Sequence, residues 1–138
     1  MATMQTFLPY QSFYRSAQVL DPKRLSKQRV EAMQIIGIVS GTATSNAWKN
    51  HPAVRMWRDH LPVLKIYYNC ICQEWIRRGY RQFMPLFRAE PGLWDYPPWL
   101  TPEFCLAHQS NLIRKFPEHY QPIFGQDIPD DLPYIWPV

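Results

Sequence analysis

Four prolines in this chain stand where helices begin. Asp21-Pro22, His51-Pro52, Leu61-Pro62 and Thr101-Pro102 each place a proline at or beside a first helical position. The ring's fixed φ suits the helix there, and the N–H it lacks would go unbonded in any case. Asp21 and Thr101 also carry oxygens that cap a helix start. The spacing predicts one helix from Pro22 to Ser40, stopped by Gly41. It predicts a second helical region through residues 47–80, either one helix kinked at Pro62 or two joined by a tight corner, reaching Arg78 with Gly79 behind it. A further helix runs from Pro102 to about Lys115, before Pro117.

The stretches between are of another kind. "MQTFLPY", 4–10, is short, apolar and extended, and "GTATSN", 41–46, is a small polar connection. Residues 84–100 are proline-rich without a sustained period, which predicts an ordered loop. The tail from Tyr120 is proline-punctuated and aromatic, and is expected to lie extended over the body. The expected fold is mostly α: a single compact helical domain over residues 1–138, with an extended N-terminal segment and a Pro/aromatic-rich extended C-terminal tail.

A net charge of +4 and a pI near 9.1 favour acidic partners, nucleic acid first among them. No stretch approaches the ~20 apolar residues that cross a bilayer, so a soluble cytoplasmic protein is expected. Cys70, Cys72 and Cys105 are an odd number with no short paired spacing, so they are expected as free thiols in the core, with a zinc site involving His108 as the lesser alternative.

"RLSKQRVEAMQII", 24–36, carries the main candidate constellation. On a helical projection Arg24, Lys27, Gln28 and Gln34 all fall within about 60° of Glu31. Ile35 and Ile38 continue that stripe, so the carboxylate stands where a basic face passes into a core-like one. Two readings fit: a salt bridge from Glu31 to Lys27 or Arg24, or a general acid/base carboxylate framed by anion-binding side chains. Burial would raise its pKa and nearby cations would lower it.

Elsewhere, His51 stands at a helix entrance, as a cap or as a functional imidazole. "HQSNLIRK", 108–115, gathers His108, Gln109, Asn111, Arg114 and Lys115. That density suits contacts to phosphates and base edges, and equally a solvated helix end. Tyr134 and Trp136 in "PYIWPV" cap the core or stack on bases.

Taken in order, these blocks resemble the pyrimidine dimer DNA glycosylase family, the phage-type endonuclease V and its bacterial and viral relatives. Leu25 precedes Glu31 by the family's leucine-to-glutamate spacing, "WKNHPAVRMW" resembles the block before the central helix, and "HQSNLIRKFPEHYQPIFG" shares the later pattern. The resemblance implies a helical domain that binds duplex DNA as a monomer, needs no cofactor or metal, displaces a base and cuts the glycosidic bond of a cyclobutane pyrimidine dimer. It implies an α-amine nucleophile, with an imine intermediate and strand breakage by β-elimination.

By that resemblance Glu31 is the catalytic carboxylate, and the amine belongs to Met4, which matches the family's first residue, or to Ala2 ahead of it. Arg24, Lys27 and Arg29 would contact phosphates, Gln28 the displaced sugar or base, and Lys115 the DNA beside Asn111, where the phage enzyme has arginine. His51, Gln109 and Arg114 complete the expected DNA-binding set. A non-catalytic nucleic-acid-binding protein, or a hydrolase of another N-glycosidic substrate, are the alternatives.

Overall fold

The proline-marked starts are all used in the computed structural model of the protein, which describes residues 4–43, 47–88 and 95–137. Six helices follow in order: α1 (Phe13–Val19), α2 (Pro22–Ser40), α3 (Pro52–Arg55), α4 (Leu61–Arg77), α5 (Pro102–Lys115) and α6 (Pro117–Phe124). Among the described residues there are no strands, so the fold is helical as expected. Thr101 Oγ1 accepts from the Phe104 N–H at 3.2 Å, the N-cap its position predicts. At the far end of α2, Gly41 adopts φ 81°, a left-handed conformation that only glycine takes up without strain. Residues 47–80 resolve into two helices joined by a corner rather than one kinked rod.

Two helices go beyond the expectation. α1 has no proline start and only seven residues, and its signal is local: Ser12 Oγ accepts from the Arg15 N–H at 3.1 Å. α6 corrects the reading of the tail, since residues 120–124 are helical. Pro122 sits inside it and forgoes only a bond to the carbonyl of Glu118, an exposed residue whose carbonyl water can serve. After Gly125 the chain turns at 126–127 and bends at Ile128 and Asp130, and only 131–137 run on without a turn or bend.

The helices close around one apolar cluster. α2 supplies Leu25, Ala32, Ile35 and Ile36, α4 supplies Leu64, Tyr67, Tyr68 and Ile71, and α5 supplies Phe104, Leu112 and Ile113. Met4, Phe7 and Leu8 of the N-terminal segment are buried in the same cluster. Trp57 is wholly buried, stacked on Tyr67 at 5.7 Å and met edge-on by Trp99 at 5.0 Å.

α4 is tied to α1 by charge. Arg78 donates from Nε to Glu74 Oε2 at 2.7 Å and reaches the carbonyls of Gln18, in the last turn of α1, and Leu20, just behind it, at 3.0 and 2.8 Å. A cation at a helix C-terminus is stabilising, and here it also satisfies carbonyls the helix leaves open. The three cysteines are free thiols, Cys72 and Cys105 buried and Cys70 half-buried. No three His, Cys, Asp or Glu side chains gather as a metal site among the described residues.

Candidate active site

The N-terminal segment has no strand to pair with, yet its buried peptide groups need partners. Side chains provide them. Gln28 of α2 offers its amide as a peptide group would: Oε1 accepts from the Phe7 N–H at 3.1 Å and Nε2 donates to the Gln5 carbonyl at 2.7 Å. Tyr67 of α4 donates its hydroxyl to the Phe7 carbonyl at 2.9 Å and to Gln28 Oε1. From α5, His108 Nδ1 accepts from the Leu8 N–H at 2.9 Å, and Gln109 Nε2 donates to the Pro9 carbonyl at 2.8 Å. Because Nδ1 accepts, the His108 ring is neutral, and complete burial pushes its pKa down to about 3.

Glu31 lies one helical turn beyond Gln28 and is 5% exposed. Its Oε2 accepts from the Gln5 N–H at 2.6 Å, while Oε1 is buried with no hydrogen-bond partner. It takes part in none of the ion pairs among the described residues, where Arg24 pairs with Asp21 instead, at 3.3 Å. Burial raises the Glu31 pKa by more than the Gln5 N–H and the charge of Lys27 lower it. A buried carboxylate with one oxygen unbonded and no ion-pair partner is unfavourable for folding, and such departures gather where chemistry is done.

Lys27, the cation that acts on Glu31, belongs to a positive patch drawn from two helices. Desolvation first, and then the like charges of Arg24, Arg114 and Lys27, hold the Lys115 pKa below its ordinary value. An anion bound among these like charges would relieve their repulsion.

A family model for pyrimidine dimer DNA glycosylase matches residues 4–87. This chain belongs to that family. Neither the curated proteins nor the solved structures offer a match. The pyrimidine dimer DNA glycosylase match begins at Met4, the first described residue, and takes in the N-terminal segment, Gln28, Glu31 and Tyr67. Helices α5 and α6 and the tail lie beyond it. No helix among the described residues is long and apolar enough to cross a membrane.

The expected site residues divide into two sets. Glu31, Met4, Arg24, Lys27 and Lys115 are brought to one region, with Met4 the residue next to Gln5 and itself buried. Ala2 lies outside the described residues. Gln28, expected at a displaced sugar or base, is buried with both ends of its amide bonded within the protein. Arg29 projects about 160° around α2 from Glu31; it stacks over Trp75 at 4.8 Å and donates to Gln82 at 3.1 Å.

His51 caps α3, its Nδ1 accepting from the Ala53 N–H at 3.0 Å, and burial lowers its pKa. Gln109 serves the N-terminal segment, as described above. Asn111 and Arg114 hold the tail: Asn111 Nδ2 donates to the Leu132 carbonyl at 3.3 Å, and Arg114 to the Asp130 carbonyl at 2.8 Å. Tyr67 and Gln5 had no place in the sequence reading. Tyr67 sits in an apolar helix where a tyrosine reads as core, and the peptide N–H of Gln5 is invisible to any residue-type pattern.

Proposed function

We propose that this enzyme excises cyclobutane pyrimidine dimers from duplex DNA, with Glu31 as its catalytic carboxylate and the α-amine of a chain beginning at Met4 as its nucleophile. The observation that carries the reading is the direct bond from the Gln5 N–H to Glu31 Oε2, with Oε1 left unbonded. The nitrogen of Met4 lies one residue upstream, about 3.3–3.6 Å of chain. As a free amine it would stand within one residue's length of the Glu31 carboxylate.

The chemistry follows from that placement. An α-amine has an ordinary pKa of about 7.7–8.0, so a useful fraction is neutral near pH 7 without the burial a lysine needs. Its lone pair attacks C1′ of the displaced nucleotide as the C1′–N1 bond breaks, and opening of the sugar ring yields a protonated imine. Glu31 orients the amine and stabilises the cationic sugar, in surroundings where poor solvation strengthens the attraction. Loss of the proton at C2′ then expels the 3′-phosphate by β-elimination. Arg24, Lys27 and Lys115 hold phosphates beside the lesion, and the enzyme works as a cytoplasmic monomer without a cofactor.

Borohydride reduction tests this on ultraviolet-irradiated duplex. Protein starting at Met4 is expected to be trapped as a covalent adduct and to cut the strand. The form starting at Met1 is expected to show neither unless its first three residues are removed. No adduct from either form, with excision intact, would overturn the amine mechanism. No excision from either would overturn the dimer reading and leave DNA binding as the function.

A further inference from the structure

The C-terminal tail brings another side chain to this site. Residues 130–132 are laid along α5 by named bonds: Ser110 Oγ accepts from the Leu132 N–H at 3.0 Å, and Asn111 and Arg114 hold the Leu132 carbonyl at 3.3 and 3.2 Å. Tyr134 follows, edge-on to His108 at 5.2 Å and stacked on Trp136 at 5.4 Å, and Trp136 in turn meets His51 at 5.8 Å. The tail therefore presents two stacked rings wedged between the imidazoles of α5 and α3. The Tyr134 hydroxyl is buried and has no hydrogen-bond partner.

That hydroxyl lies within electrostatic reach of Glu31, Arg24 and Arg114, and Tyr67 feels both Tyr134 and Glu31. Four buried side-chain polar atoms lack partners among the described residues, and three belong to Gln5, Glu31 and Tyr134. Gln5 Oε1 and Glu31 Oε1 are acceptors, and the Tyr134 hydroxyl is a donor. Left without partners they are costly, and together they suit a ligand that carries both kinds of group. Burial keeps the hydroxyl protonated, so it remains a donor at neutral pH.

Resting on the glycosylase reading above, we propose that Tyr134 is a further catalytic residue, donating its hydroxyl hydrogen bond to the O2 carbonyl oxygen of the pyrimidine that leaves, while the stack on Trp136 holds its ring in place. When the C1′–N1 bond breaks, its electron pair passes to N1 and is shared with O2. A donor held at O2 is stronger in the transition state than in the ground state, so it accelerates departure rather than binding. The tyrosine keeps its proton, and solvent protonates N1 afterwards.

The test is single-turnover excision by Y134F, beside the unaltered enzyme, both starting at Met4, on a duplex with one defined dimer. Phenylalanine keeps the ring and its contacts to His108 and Trp136. The expected result is a rate about ten- to a hundredfold lower with unchanged affinity for the duplex. Incorporation of 3-fluorotyrosine at position 134, which keeps the shape and has a more acidic hydroxyl, is expected to retain or raise the rate, and gives a readout free of any packing change. Y134F as fast as the unaltered enzyme would overturn the role of Tyr134 and leave the glycosylase reading standing. So would weaker binding at an unchanged rate. An unaltered enzyme that excises no dimer would overturn both.

Discussion

Glu31 and Glu74 stand on two helices packed together, α2 and α4, and both are buried. Their surroundings are opposite. Glu74 receives Arg77 at 2.6 and 2.7 Å and Arg78 at 2.7 Å, so that both oxygens are bonded. Burial alone would raise its pKa, but the two guanidiniums outweigh that and hold it below the usual range. Glu31 has one peptide N–H, one bare oxygen and a pKa raised by burial. A carboxylate surrounded by its counter-charges serves the fold, whereas one left short of them is free for the reaction proposed above.

The comparison breaks first at Glu31. E31Q is expected to lower dimer excision by at least about a thousandfold. Its melting temperature at neutral pH should be unchanged or higher. The folded-state pKa of Glu31 is raised, so its contribution to stability is present below the unfolded pKa and lost as pH rises through the folded one. Removing the charge removes that loss. An E31Q protein that melts well below the parent would make Glu31 a structural residue after all.

The converse holds at Glu74. E74A leaves Arg78 held only by carbonyls at the C-terminal end of α1 and is expected to destabilise by about 1–3 kcal/mol. The protein that remains folded should excise dimers at the parental rate. Because the Glu74 pKa is depressed, its stabilisation is present above the unfolded carboxylate value and lost as pH falls through the folded one. The melting-temperature gap between parent and E74A should therefore narrow in acid, which thermal scans across that range would check.

The smallest effect sharpens the contrast from the side of the cations. Lys27 is the one cation whose charge lowers the Glu31 pKa. K27A should move the acid limb of the rate profile to higher pH and reduce the salt dependence of duplex binding by about 0.9 in log-log slope. A profile that does not move would mean Lys27 acts on the DNA alone.

The helices were legible wherever a proline and its neighbour wrote the start into two adjacent letters, as at Asp21-Pro22 and Thr101-Pro102. α1 escaped because seven residues hold barely two turns, too few for a period to emerge. α6 escaped because Pro122 inside it reads as a breaker. The helical projection placed Glu31 at the edge of the core, and the choice between ion pair and site needed the third dimension: Arg24 had Asp21 to pair with.

The internal partners of Gln109, Asn111 and Arg114 were not legible because they lie far along the chain, such as Pro9, 100 residues from Gln109. The same holds for Gln28. Its amide answers peptide groups more than 20 residues away.

The docking of the N-terminal segment has one more consequence. A strand in a sheet meets a periodic neighbour, so it can slide by two residues and find equivalent bonds again. The segment from Gln5 to Pro9 meets Glu31, Gln28, Tyr67, His108 and Gln109, five different side chains on three helices, with no repeat among them. Any slip forfeits every bond at once. The chain's beginning is thereby indexed to a single alignment, which is what a reaction relying on the position of one backbone nitrogen demands.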